Sequence, residues 1–188
     1  MKTVWIVLGI VVLAALLIGG WLIGGLNRVV EIDEAVNSAW AQVENQLQRR
    51  NDLIPNLVST VQGYAEHEKE IFTKVAELRS QWGKSQTQGD KMDNANQMSG
   101  ALSRLLLVAE NYPQLKADQN FLALQSQLEG TENRIAVERM RYNDMVKIFN
   151  AYRRTVFGSI FASMRGLTEP REYFEVAESA KAVPVVKF

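Results

Sequence analysis

The chain has 188 residues and no net formal charge, with 21 basic residues balanced by 21 acidic ones. A balanced chain lacks the large basic field of a nucleic-acid binder, so no nucleic-acid partner is expected. There is no cysteine, which excludes disulfides, thiolate metal sites, a cysteine nucleophile and a lipid-modified cysteine anchor. The single histidine, His67, would have to serve any His-based metal site or Ser-His-Asp triad.

The first predicted element runs from Val4 to Leu26 without a charged residue or a proline. These residues, about 23, span roughly 34 Å as a helix, against about 30 Å of bilayer hydrocarbon. A cleaved secretory signal would usually have an apolar core of about 7–15 residues followed by a small-residue cleavage site. This run is longer and no such site follows, so residues 1–26 are expected to be a transmembrane anchor. Ala15, Gly19, Gly20 and Gly24 give overlapping small-xxx-small spacings, which let membrane helices pack closely; glycine is also common in membrane helices generally. Trp5 and Trp21 lie near the two ends, where indoles favour the interface. Lys2 and the terminal amine precede the helix. Arg28 follows, with Glu31, Asp33 and Glu34 beyond it. By about one charge the positive-inside rule leans toward a periplasmic or extracellular domain, on a protein that passes the cell membrane once.

Residues 27–166 are expected to form the helical domain. Asn27 to Ile32 holds no Pro or Gly, so the anchor can run directly into the next helix. There Val36, Trp40, Val43, Leu47, Ile54, Leu57, Val61 and Ala65 step by four and three, a heptad-like stripe with Arg50 filling its gap. Pro55 falls inside the stripe and is expected to kink the helix, which continues through Ile71, Val75 and Leu78 to about Trp82. Gly83 to Gln97 is polar and reads as a loop leading into a helix start. Met98, Leu102, Leu105, Ala109 and Tyr112 mark a third helix, ended by Pro113. A long fourth element, Gln114 to Met164, has Phe121, Leu124, Leu128, Ile135, Tyr142, Val146, Phe149 and Val156 on its inner face. The tail, residues 167–188, carries Pro170, Pro184, Tyr173–Phe174 and the apolar Val183, Val185, Val186 and Phe188. It is expected to be extended and docked. The fold class is all-α: a single N-terminal transmembrane helix, an antiparallel helical bundle and an extended C-terminal tail.

No catalytic constellation appears. His67-Glu68-Lys69-Glu70 lacks the second histidine of H-E-x-x-H and reads as a solvated helix face. No phosphate loop or nucleophile elbow is present, and one histidine cannot supply a di-metal carboxylate site. No enzymatic activity, metal or cofactor is expected. Arg50 and Glu132 interrupt the apolar stripes, with Arg139 one step further along. Buried charges need partners, so these three form a candidate polar network inside the bundle. The alternative is that Arg50 snorkels along the apolar face to water.

The run from Val36 to Val75 resembles the signature region of the LemA family: Ala39–Trp40, then QLQRRNDLIPNLV from Gln46 to Val58, then Gly63-Tyr64 to His67-Glu68. Leu105 to Asn150, the YFE at Tyr173–Glu175 and the final PVVKF are similar to the same family, so the resemblance covers essentially the whole chain. Val156–Phe157 departs from it, since many members have Phe-Pro there. The resemblance implies a membrane-anchored helical bundle without established enzymatic activity. It also implies a short external N-terminus and a cytoplasmic domain, opposite to the charge count. Two functions remain open. One is a scaffold that self-assembles as a homo-oligomer at the bacterial membrane, with the lipid bilayer as its other partner. The other is an adaptor that presents a protein partner to a membrane complex such as a quality-control protease.

Overall fold

Among the described residues, 2–65 and 67–175 of the computed structural model, every regular element is helical. Six helices follow in order: α1 Lys2–Gln62, α2 Lys69–Lys84, α3 Gln88–Glu110, α4 Pro113–Lys116, α5 Gln119–Arg153 and α6 Val156–Met164. The chain separates into two compact units, one of Met1–Trp40 with Arg141–Glu172, the other of Ala41–Met140 with the described residues 173–175.

α1 is one helix of 61 residues and keeps Pro55 inside it. It contains the single stretch, among the described residues, that is long and apolar enough to cross a membrane. Val4 to Ile18 is exposed throughout. From Val29 onward the three-four stripe turns inward, and Val36, Trp40, Val43, Leu47, Ile54, Leu57 and Val61 are all buried.

The helix expected to continue to Trp82 is instead broken between Gln62 and Lys69. Two backbone bonds close the first helix there, Tyr64 N–H and Ala65 N–H both donating to the Val61 carbonyl at 3.0 and 2.9 Å. The apolar spacing carries across the break because Ala65 is buried in the turn itself. The loop expected over Gly83 to Gln97 shrinks to Ser85, Gln86 and Thr87. The Thr87 hydroxyl accepts the Asp90 N–H at 3.0 Å, an N-cap that starts α3 well before its first leucine, Leu102. Met92 and Ala95 are then buried despite their polar neighbours.

The long fourth element is likewise divided. Pro113 occupies the first turn of α4, where its missing N–H costs nothing. Asp118 accepts the Phe121 N–H at 2.9 Å and starts α5. Thr155 accepts the Gly158 N–H at 3.0 Å and starts α6. Restarting the helix there changes its phase, so Val156, expected on the inner face, is 76% exposed. α6 ends in a Schellman motif: Gly166 has φ 72°, Leu167 N–H reaches the Ala162 carbonyl at 2.9 Å and Gly166 N–H the Ser163 carbonyl at 3.1 Å.

In the unit of Ala41–Met140 the core joins Ile54, Leu57 and Val61 of α1, Phe72, Val75 and Leu78 of α2, Met98, Leu102 and Leu105 of α3, Leu115 of α4, and Phe121 and Leu128 of α5. In the other unit the Trp40 ring meets Tyr142 edge-on at 5.4 Å. The Tyr142 phenol donates to the Glu172 carbonyl at 2.9 Å. Burial pushes this phenol up to about 12, with the Arg171 cation opposing and Glu172 adding. A raised acid pKa favours the neutral form in the folded state. Its contribution to stability is complete below the ordinary tyrosine value of about 10 and is lost as pH rises through about 12. Phenolate absorbance in an alkaline titration should show a late step near 12 that disappears in Tyr142→Phe.

Candidate functional site

Arg50 is the most deeply buried charged residue described, 1% exposed, on the face of α1 that otherwise carries Leu47 and Ile54. A guanidinium offers five donors, and three of its contacts are oxygen acceptors on two further helices. Nη1 donates to Ser99 Oγ at 2.8 Å and to Glu132 Oε1 at 3.1 Å. Nη2 donates to the Ala95 carbonyl at 3.1 Å. Ser99 Oγ also donates to that carbonyl at 3.1 Å, so the hydroxyl takes from the arginine and gives to the backbone. Burial lowers the Arg50 pKa from its ordinary value and the Glu132 carboxylate raises it in part. A guanidinium remains a cation under such shifts, so this is a positioning device and not a proton donor.

The structure therefore brings Arg50 and Glu132 together through a salt bridge whose acid is 36% exposed. Arg139 lines the same small cavity, about 70 Å³, with Asn96, Ser99, Ile135 and Phe174. Its guanidinium carbon lies 5.7 Å from the centre of the Phe174 ring. Asn96 Nδ2 donates to the Glu175 carbonyl at 3.0 Å. The apolar tail residues Val183, Val185, Val186 and Phe188 lie outside the described residues.

A second polar cluster lies in the unit of Met1–Trp40 and Arg141–Glu172, and sequence reasoning missed it. Arg171 Nε and Nη2 both donate to Asp33 Oδ1, at 3.2 and 2.6 Å. The Asn150 side chain pairs with the Arg171 backbone in both directions, each bond 2.9 Å. The Arg171 guanidinium lies 5.8 Å from the Phe149 ring centre. The available signal was Asp33 itself, a carboxylate three residues before Val36 on the buried stripe, 9% exposed.

Neither cluster sets a nucleophile beside a base. His67 is exposed. Among the described residues no three His, Asp or Glu side chains are grouped to hold a metal ion. Ala15, Gly19, Gly20 and Gly24 lie on the uncovered part of α1, and a side chain added at any of the three glycines would meet nothing within 4 Å. Of the glycines in the apolar stretch of α1, Gly25 is the one packed against the chain: a Cβ there would overlap the Phe161 ring.

The LemA family model matches residues 39–188, four-fifths of the chain. The chain belongs to the LemA family. Residues 1–38, which hold the apolar half of α1, precede the match. Two curated relatives from Paramagnetospirillum magneticum (strain ATCC 700264 / AMB-1) are magnetosome protein MamQ 2 and magnetosome protein MamQ 1. Each is 25% identical over 150 residues, covering 66% of this chain and 55% of the relative. The chain thus spans about half the length of the curated relatives it matches. Within the LemA match lie Arg50, Ser99, Glu132 and Arg139, as well as Asn150 and Arg171 of the second cluster.

The unequal exposure of the Arg50 pair predicts unequal costs. Arg50→Ala empties a buried site and takes the donor from Ser99 Oγ and Glu132, while the Ala95 carbonyl keeps the Ser99 hydroxyl, and should lower stability by about 3–5 kcal/mol. Glu132→Ala leaves the buried cation with two neutral acceptors but opens a part-exposed position to water, and should cost less, about 1–3 kcal/mol. Urea denaturation of the two variants checks the asymmetry. Pairing Arg50→Met with Glu132→Leu should recover much of the Arg50→Ala loss.

Proposed function

We propose that this protein is a membrane-anchored, non-catalytic helical scaffold that self-assembles. The observation that carries the reading is the apolar stretch of α1, uncharged from Val4 to Leu26 and exposed along most of its length. Such a surface is stable in lipid and costly in water. In this reading residues 1–26 cross the bilayer once and residues 27–166 form an antiparallel bundle. The three-residue link from Ser85 to Thr87 and the core shared by α2 and α3 support that arrangement. Ala15, Gly19, Gly20 and Gly24 supply a smooth face on which anchors from several copies pack. The buried polar groups around Arg50 serve positioning, which suits a scaffold better than a catalyst. The charge count leans, by about one charge, toward a domain on the periplasmic or extracellular side, and protease protection of the domain in sealed vesicles distinguishes this from the cytoplasmic side.

The adaptor reading keeps one observation of its own. A groove of about 1050 Å³ runs between α2 and α3, floored by Ile71, Ala101 and Val108 and rimmed by Lys69, Lys74, Glu77, Asp93 and Arg104. A groove of that size and mixed charge would suit a peptide of a protein partner.

Carbonate washing should leave the protein in the membrane pellet, and removal of residues 1–26 should release a folded helical domain. Native mass spectrometry in mild detergent should show a homo-oligomer that falls apart when Gly20 and Gly24 are both changed to Ile. Monomers for wild type, with a stoichiometric second protein on pull-down, would replace the scaffold by the adaptor. Truncation after Glu175 asks separately whether the remaining tail clasps a neighbour, since it spares Asp33–Arg171 and Phe174.

A further inference from the structure

α6 is short, apolar and only half covered. Its sequence VFGSIFASM has no charged residue. Gly158, Phe161 and Ala162 are buried, and Phe161 and Ala162 pack on Val29 of α1. Val156, Phe157, Ile160 and Met164 are 76%, 57%, 50% and 60% exposed. At about 100° per residue these four fall within an arc of about 100°, separate from the buried arc and from the exposed Ser159 and Ser163. The helix therefore has three faces: one packed inward, one polar, and one apolar and uncovered.

The position of the uncovered face is fixed by Trp21. Its ring meets Phe157 edge-on at 5.1 Å and Phe161 at 5.2 Å. Trp21 stands toward the C-terminal end of the apolar stretch of α1, where an indole favours the bilayer interface. The uncovered face of α6 is thus continuous with the apolar surface of α1. Along its own stretch of sequence the charge has one sign, while Glu31, Asp33 and Glu34 follow Val29 on α1. Between Asp144 and Glu169 the sequence carries Lys147, Arg153, Arg154 and Arg165 and no acidic residue. Arg154 and Arg165 are exposed just before and just after α6. Arg153 is held by the Thr168 carbonyl.

We propose that α6 is a second membrane contact, lying in the interface of an anionic lipid bilayer with Val156, Phe157, Ile160 and Met164 among the upper acyl chains and Arg154 and Arg165 on the headgroup phosphates. This rests on the reading of α1 as a membrane span, because Trp21 sets the depth. An apolar helix face flanked by cations is the form such in-plane contacts take, and the acidic-free stretch matches an anionic surface.

The chain has no cysteine, so single cysteines can report depth in the full-length protein. An environment-sensitive fluorophore is placed at Ile160→Cys, at Ser159→Cys and at Ile10→Cys. Each protein is reconstituted into vesicles of phosphatidylcholine with or without phosphatidylglycerol. The label at position 160 should shift to the blue and lose emission to a nitroxide carried near the lipid headgroup. The label at 159 should lose emission to aqueous iodide, and the label at 10 to a nitroxide deep in the acyl chains. Arg154→Gln with Arg165→Gln should abolish any gain in the position-160 shift that phosphatidylglycerol produces. A lipid-quenched position 10 beside an iodide-quenched position 160 overturns the proposal and leaves the span intact. A position 160 shielded from both quenchers overturns it in favour of a second copy of the chain covering α6. If position 10 is also quenched by iodide, the span reading fails first.

Discussion

A guanidinium buried on an apolar helix face must find oxygen acceptors, and the three that Arg50 finds belong to two other helices. That constraint organises the unit of Ala41–Met140. Leu47 and Ile54 could be satisfied by many packings of neighbouring helices, because apolar contact has no direction. The two terminal nitrogens of Arg50 find their acceptors only when the Ala95 carbonyl, Ser99 Oγ and Glu132 Oε1 converge within 3.1 Å of them, while its buried Nε has none. Registers of α3 and α5 that would leave the cation unpaired are thereby penalised. Around this node, Asn94 Nδ2 donates to the Leu78 carbonyl at 2.8 Å, and Trp82 Nε1 donates to Gln48 Oε1 at 3.2 Å. These are directional ties of α3 to α2 and of α2 to α1.

The unit of Met1–Trp40 and Arg141–Glu172 uses the same logic on an irregular segment. After α6 the chain has no helical ladder to satisfy its backbone. Gly166 first reverses it through a left-handed residue. Asn150 then pairs with the backbone of Arg171 like a strand partner, Asp33 takes the Arg171 side chain and Tyr142 takes the Glu172 carbonyl. An irregular segment is held here on helices by side-chain amide, carboxylate and phenol groups in place of a sheet.

The same unit also exposes apolar surface. The uncovered apolar surface is concentrated on the first half of α1 and on one arc of α6, and Trp21 joins the two. Membership in the LemA family and the long apolar stretch of α1 fit a membrane-associated helical protein.

Periodicity and composition were enough to read the all-helical class, the apolar stretch at the N-terminus and the buried stripe from Val36 to Val61, because a three-four spacing has no other way to bury one face. Arg50 stood out for the same reason, as a charge in a position the stripe reserves for leucine. The helix ends did not stand out. The breaks at Gly63, Ala117 and Arg154 are six, two and two residues long, too short for the apolar pattern to register, and the three-residue turn at Ser85 hides inside a longer polar stretch. At the last break the phase did change, so Val156 passed for a core residue and its exposed arc was invisible in the sequence. The caps at Thr87, Asp118 and Thr155 were present as residue types, but a lone Thr or Asp is equally at home on a solvated face. The partnership of Asp33 with Arg171 joins positions 138 apart. The partners of a buried charge, and the turn of chain that leaves an apolar face bare, are properties of distance in space, and only the tertiary structure could decide them.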